Sequence, residues 1–407
     1  MTHPIADRAT ALKMTVRDGQ LGRSFHQAEK SLADLARGLP ETLSLTHADV
    51  SAYPPPSSAG RRYAQALESS VDPFSSYLGV DHVREVLAPR VSALLGIDDI
   101  EPQTELLIAA GTQNALFSIF SMLVEQGDTV LLADPEYMTI EKTVRYFGGR
   151  AVHLPARSTE AGPLEMSLDD IERGFAAGSR LLAFSNPCNP TGTVYGGPFL
   201  KALADLVLAH DAYVIVDELY SRLVYDVEFT SLASLPGMRD RCITTLGTSK
   251  TESMSGFRVG CMVGPAEIVS ELSDIIEITS LRASSYAQYA LLDWLGPDDD
   301  FVAERVATFK QLRALTVATL APLPFLDLVT PDGTAYVFPR LAIADVDDFV
   351  VAETLVRDAG VLVNPGITFG PNGVGGFRLC FAQNQHELPG ILQRVAGSLT
   401  ALAHERG

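Results

Sequence analysis

Positive charge is what this 407-residue chain has in short supply: 31 lysines and arginines stand against 50 acidic residues, for a formal charge of -19. A field of that sign repels phosphate backbones and anionic lipid surfaces, so neither nucleic acid nor a membrane is an expected partner. Cysteine is scarce too. The four, Cys188, Cys242, Cys261 and Cys380, are widely separated, lack CxxC spacing and fall mostly in apolar, strand-like runs. That argues for reduced packing residues, and no disulfide framework or metal site is expected. No apolar run approaches the roughly 18 residues of a membrane span, and the first residues lack the charged-then-apolar pattern of a signal. There is no internal repeat and no low-complexity tract. The expectation is a soluble, cytoplasmic protein. At 46% hydrophobic and 20% charged residues it can bury the core of one large domain and a smaller companion.

Residues 7–39 read as irregularly helical, and Tyr53 to Gly60, with three consecutive prolines, reads as a stiff loop. From about 100 to 265, short apolar runs alternate with amphipathic stretches, the pattern of a mainly parallel sheet wrapped by helices. The runs are Leu106 to Ala110, Thr129 to Ala133, Arg180 to Phe184, Ala212 to Val216, Cys242 to Leu246 and Val259 to Val263. Asn114 to Val124 is helical, with Leu116, Ile119, Phe120 and Leu123 on one face. Helical character continues through Leu295, and Asp298 to Asp300 caps a long helix reaching about Leu320. Beyond Pro322 and Pro324, strands at 334–338, 361–363 and 377–381 alternate with helices at 347–358 and 387–401. The predicted fold is α/β: a large domain with a mainly parallel, seven-stranded-type sheet flanked by helices, and a smaller α/β domain built from both chain ends. The expected divisions are 1–60 for the arm and part of the small domain, 61–295 for the large domain, and 296–407 for the interdomain helix and small domain.

Nearly every apolar run ends in residues that a buried core would not choose: Gly111-Thr112-Gln113, Asp134 to Tyr137, Ser185 to Gly192, Asp217 to Tyr220 and Thr248 to Lys250. In open α/β sheets the ligand crevice lies outside the carboxyl ends of the strands, so these clusters converge on one pocket. Lys250, in a polar loop after an apolar run, is either a solvated lysine or an amine held ready for imine chemistry. Gly111 to Gln113 opens a helix, either as a simple cap or as an anion site made of backbone N–H groups and the helix dipole. Arg258, between Gly256 and Gly260, suits a phosphate or a surface strand. Asp217, at a buried strand end, needs a protonated heterocyclic nitrogen or a structural arginine. Asn189 and Tyr220 can donate to a phenolate-like oxygen, although the Asn189-Pro-Thr-Gly192 segment equally suits a plain turn. Tyr137 offers a ring face for stacking or packing. Arg378 can grip a carboxylate or close a core salt bridge. A phosphate site, a ring-nitrogen acid, oxygen donors, an amine and a carboxylate clamp are together what pyridoxal phosphate chemistry on an amino acid requires.

From about Tyr77 to residue 390 the chain resembles the fold type I pyridoxal-phosphate enzymes, specifically the class I/II aminotransferases related to aspartate aminotransferase. The resemblance is carried by Asn189 to Gly192, Asp217 to Tyr220, Ser249-Lys250, Gly256 to Gly260 and Phe377-Arg378. It implies a pyridoxal 5'-phosphate cofactor, an amino acid and a 2-oxo acid as substrates, and a homodimer. It further implies that Lys250 forms the internal aldimine and shuttles the proton, and that Asp217 pairs with the pyridine nitrogen. Asn189 and Tyr220 would bond the ring hydroxyl, and Tyr137 would stack on the ring. Thr112, Gln113, Thr248 and Arg258 would serve the phosphate. Arg378 would bind the substrate carboxylate, with Asn189 beside it. Tyr77 corresponds to the tyrosine that the partner subunit contributes. The chain departs from the family in its arm, which reads Leu45-Thr-His-Ala-Asp49 where a glycine is usual. The same residues also serve diverted reactions, namely elimination, cyclisation or oxidation, and a non-catalytic cofactor-binding regulator is a remote alternative.

Overall fold

The computed structural model describes residues 8, 12, 25–39, 41–69, 71–158, 164–296, 300–343 and 346–406. Its centre is a seven-stranded sheet of β1 (Leu106–Ala109), β2 (Thr129–Asp134), β3 (Arg150–Pro155), β4 (Leu181–Ser185), β5 (Tyr213–Asp217), β6 (Cys242–Leu246) and β7 (Gly260–Val263). The spatial order is β1-β7-β6-β5-β4-β2-β3. Strands β3, β2, β4, β5 and β6 are parallel, whereas β7 runs antiparallel to both β1 and β6. Successive side chains turn to opposite faces, as the pleat requires. Leu131, Leu182, Phe184, Val214 and Val216 join one apolar cluster, and Val130, Leu132, Leu181, Ala183 and Ile215 the other. Phe199, Leu200 and Leu203 of the helix Gly197–Ala209 cover the first face. Leu116, Ile119 and Phe120 of the helix Thr112–Leu123 cover the second.

A further apolar cluster joins the two chain ends. Ala28, Leu32 and Leu45 pack with Phe309 and Leu312 of the helix Asp300–Leu320, and with Leu379, Ile391 and Leu392. Within it, β8 (Tyr336–Val337) and β9 (Asn364–Pro365) each pair antiparallel with β10 (Phe377–Cys380). Leu43–Ser44 pairs in parallel with Val361–Leu362. Among the described residues no helix is long and apolar enough to cross a membrane.

Several expectations require correction. The helix expected over 7–39 is Phe25–Gly38; most of the stretch ahead of it lies outside the described residues, as do Asp298 and Asp299 of the expected cap. The loop through Gly60 gives way to the helix Ser57–Glu68, because a proline just ahead of the first turn, here Pro56 at φ -60°, is compatible with helix entry. The helical stretch expected through Leu295 is broken: Ala266–Thr279 ends before short turns at Ser285–Gln288 and Tyr289–Asp293. The helix expected over 347–358 is α-helical only at Asp348–Thr354 and widens to a π-turn over Leu355–Ala359. Strand β3 was not foreseen, and β7 departs from the parallel pattern.

Candidate active site

The carboxyl ends of β2, β4, β5 and β6, the connection after β1 and the small three-stranded sheet surround a cleft of about 300 Å³. It is lined by Lys250, Asp217, Asn189, Tyr220, Tyr137, Thr112, Gln113, Arg258 and Arg378. Thr248 is not among the lining residues; it is wholly buried, with a hydroxyl that has no hydrogen-bond partner. Tyr77 stands apart: it donates to Glu277 at 3.1 Å and lies under Arg282.

Lys250 is not in a loop. It sits in the four-residue helix Thr248–Thr251 that follows β6 after Gly247, which fixes the amine's approach to the cleft. Opposite it, Asp217 is 8% exposed. Both of its protein hydrogen bonds, from Thr245 Oγ1 at 3.1 Å and Leu219 N at 3.2 Å, fall on Oδ1. Burial pushes its carboxyl up to about 6, opposed by these two donors and by Lys250, so the site favours a partner that donates a proton or carries positive charge. Glu136 is another buried carboxyl, pushed up to about 7 chiefly by burial. It accepts from Ser185 N and Oγ and from Tyr137 N. Ser185 Oγ in turn accepts from Asn189 N at 3.0 Å, which braces the turn that carries Asn189.

At one end of the cleft the backbone is built for close approach. Gly111, at φ +84°, leaves room for Arg258: a Cβ there would lie 2.5 Å from its Nη2. A Cβ on Gly260 would lie 2.7 Å from Thr112 N. Arg258 itself adopts the left-handed region at φ 54°, uncommon for a residue with a side chain. The result is a guanidinium facing the first turn of the helix Thr112–Leu123, a geometry suited to an anion.

At the other end, Arg378 is 6% exposed. It donates to Asn189 Oδ1 at 2.6 Å and to Thr46 O and Asn364 Oδ1 at 2.8 Å, and its guanidinium lies 4.1 Å from the centre of the Tyr336 ring. No carboxylate is among these acceptors, so the cation is aimed but not neutralised by them. Tyr220 OH donates to Tyr336 OH at 2.9 Å. Sequence reasoning missed Tyr336, which lines the cleft but reads as an ordinary strand aromatic. Thr46, in the arm stretch where the chain departs from the family, also lines the cleft and acts through its carbonyl.

The carboxyl edge of the sheet thus gathers an amine, a buried acid, a corner suited to an anion and a buried arginine around one cleft. The family model described as "Aminotransferase class I and II" matches residues 53–395. A probable aspartate/prephenate aminotransferase of Aquifex aeolicus is 30% identical over 343 residues, spanning 82% of this chain and 85% of that protein. An aromatic-amino-acid aminotransferase of Thermococcus litoralis is 28% identical over 90% of this chain and 94% of its own length. The crystal structure of an aspartate aminotransferase from Rhodobacter sphaeroides superposes with a TM-score of 0.86 at 30% identity, covering 94% of this chain and 100% of that one. The chain belongs to the aminotransferase class I and II family, and its activity is that of a pyridoxal-phosphate-dependent aminotransferase.

Proposed function

We propose that the cleft holds pyridoxal 5'-phosphate and moves an amino group between an L-amino acid and a 2-oxo acid. The observation that carries this is the convergence of Lys250, Asp217 and Arg378, from three distant parts of the chain, on one cleft. Arg258, the first turn at Thr112 and Gln113, and the unpartnered Thr248 hydroxyl suit the phosphate. Asp217 suits the ring nitrogen, Tyr137 a ring face, and Asn189 and Tyr220 the ring oxygen. When bound, the cofactor supplies a protonated ring that accepts the electron pair left when the substrate's α-proton departs. Arg378 holds the α-carboxylate and so turns the Cα–H bond toward Lys250. Lys250 Nζ takes that proton and carries it across to the cofactor's side of the cleft. Asp217 remains ionised beside the ring nitrogen and keeps its proton in place.

The reading extends to a homodimer in which Tyr77 serves the partner's cleft. Phe74, Ile278 and Leu281 are exposed at 76%, 79% and 50%, and Phe74 lies with Tyr77 under the Arg282 guanidinium; exposed large apolar side chains of this kind suit cover by a second subunit. A cytoplasmic location is supported by four buried, free cysteines. The division into an arm to residue 60, a cofactor domain to 295 and a small domain beyond is supported by the two-ended apolar cluster. Lys250→Ala tests the assignment: the purified variant should lack the bound-cofactor absorbance of wild type and form no 2-oxo acid from any amino donor. Normal turnover would overturn it.

A further inference from the structure

Glu136 follows β2 and is 5% exposed, yet it is not among the residues that line the cleft. Its Oε1 accepts from Tyr137 N and from Ser185 Oγ, each at 2.6 Å, and its Oε2 accepts from Ser185 N at 2.7 Å. Both carboxyl oxygens therefore meet a backbone N–H, a group that can only donate. A carboxamide would set its own N–H against one of them whichever way it faced. The titratable groups that face Glu136 are Asp217, Cys188 and Tyr195, none of them a cation. Among the described residues this buried acid is thus held by hydrogen bonds and not by an ion pair. Burying an acid in that way is costly, and the bonds it accepts fix Ser185.

Ser185 passes that placement on. With its hydroxyl proton directed at Glu136, its Oγ accepts from Asn189 N at 3.0 Å. At the other end of Asn189, Arg378 Nη1 donates to Oδ1 at 2.6 Å. A guanidinium has no acceptor, so this contact identifies the amide's oxygen and leaves Nδ2 as the atom that donates in the cleft. Asn189 is gripped at its backbone from the Glu136 side and at its amide oxygen from the Arg378 side.

Resting on the reading that Asn189 serves the cofactor's ring oxygen, we propose that Glu136 is a positioning residue for the cofactor: through Ser185 it holds the Asn189 backbone so that Nδ2 meets that oxygen. A donor on the ring oxygen draws on the negative charge that otherwise holds a proton near Lys250 Nζ. When that donor is misplaced, the proton is held to higher pH.

The test follows the absorbance of the reconstituted holoenzyme across pH. Glu136→Gln and Ser185→Ala should each raise the midpoint of the absorbance change by about one pH unit, the order of a single hydrogen bond to a charged group. Asn189→Ala should raise it as well, and adding Glu136→Gln to that variant should move it no further, because residues acting through one link are not additive. Ser185→Ala keeps the acid and its two backbone donors, so it carries the test if Glu136→Gln does not fold. An unmoved midpoint in either folded variant, or a Glu136→Gln shift that persists in full without the Asn189 side chain, overturns the proposal. An Asn189→Ala midpoint equal to that of wild type overturns instead the ring-oxygen reading on which it rests, and wild-type protein that gains no cofactor absorbance overturns the pyridoxal-phosphate reading beneath both.

Discussion

Replacing Gly260 by alanine places a methyl carbon 2.7 Å from the backbone nitrogen of Thr112 and 3.1 Å from the carbonyl carbon of Gly111. Neither atom is the movable end of a side chain. Thr112 opens a helix, and Gly260 belongs to β7, which is flanked by β1 and β6. Overpacking of this kind costs about 1–3 kcal/mol, or about 5- to 150-fold in an equilibrium constant. The strain falls on the backbone that forms the proposed phosphate corner, so the cost should appear in the cofactor dissociation constant. Gly256, at the other end of the same segment, has nothing within 4 Å of its added Cβ, and alanine there should be neutral. Titrating both variants with pyridoxal phosphate by absorbance, alongside thermal melts of the cofactor-free proteins, separates a binding loss from a folding loss. A folded Gly260→Ala protein that binds cofactor as tightly as wild type would refute the corner's assignment.

Arg378→Lys keeps the charge but loses the two-pronged fork, so the donor's kcat/KM should fall by about 10²- to 10³-fold, mainly through KM. A simple alkylamine without a carboxylate should be unaffected; equal losses for both would make Arg378 structural. Glu218 is pushed up to about 8 from an ordinary value of 4.5, chiefly by burial, and its Oε2 is buried without a hydrogen-bond partner. Its folded value is raised, so its contribution to stability is complete below about pH 4 and is lost as pH rises through about 8. Glu218→Gln mimics the protonated form and should flatten the decline in Tm of the cofactor-free protein between about pH 5 and 8. Parallel curves for the two proteins would show that Glu218 is already charged at neutral pH. Ile278→Glu replaces an exposed apolar side chain with a charge and should dissociate the proposed dimer in sedimentation experiments. A wild-type monomer would remove both the dimer and the role given to Tyr77.

The sheet was legible because β2, β4, β5 and β6 are buried on both faces and read as continuous apolar runs. Strand β3 was not, since it lies at the edge with Arg150 exposed and His153 half-buried, and its polar residues break the pattern. The cleft residues at strand ends stood out because polar groups there contradict their apolar context. Tyr336 did not, because its significance arises from Tyr220 and Arg378 meeting it across the fold. The two glycines flanking Arg258 looked alike in sequence, yet only Gly260 is crowded. That distinction depends on Thr112, almost 150 residues away in the chain, and no local pattern encodes it.

Strand β7 enters the sheet against the direction of its neighbours, so its first residue lies at the edge where β6 ends. The chain from Gly247 to Gly260 therefore leaves the crevice edge and returns to it without crossing the sheet. A parallel connection would carry the chain to the opposite edge before it could offer a second group. Here Lys250 and Arg258 ride on one short excursion anchored at both ends, and the distance between amine and anion corner is set by that span. A displacement of either anchor should shift the two groups in concert, which makes this excursion the gauge against which the length of any bound cofactor is measured.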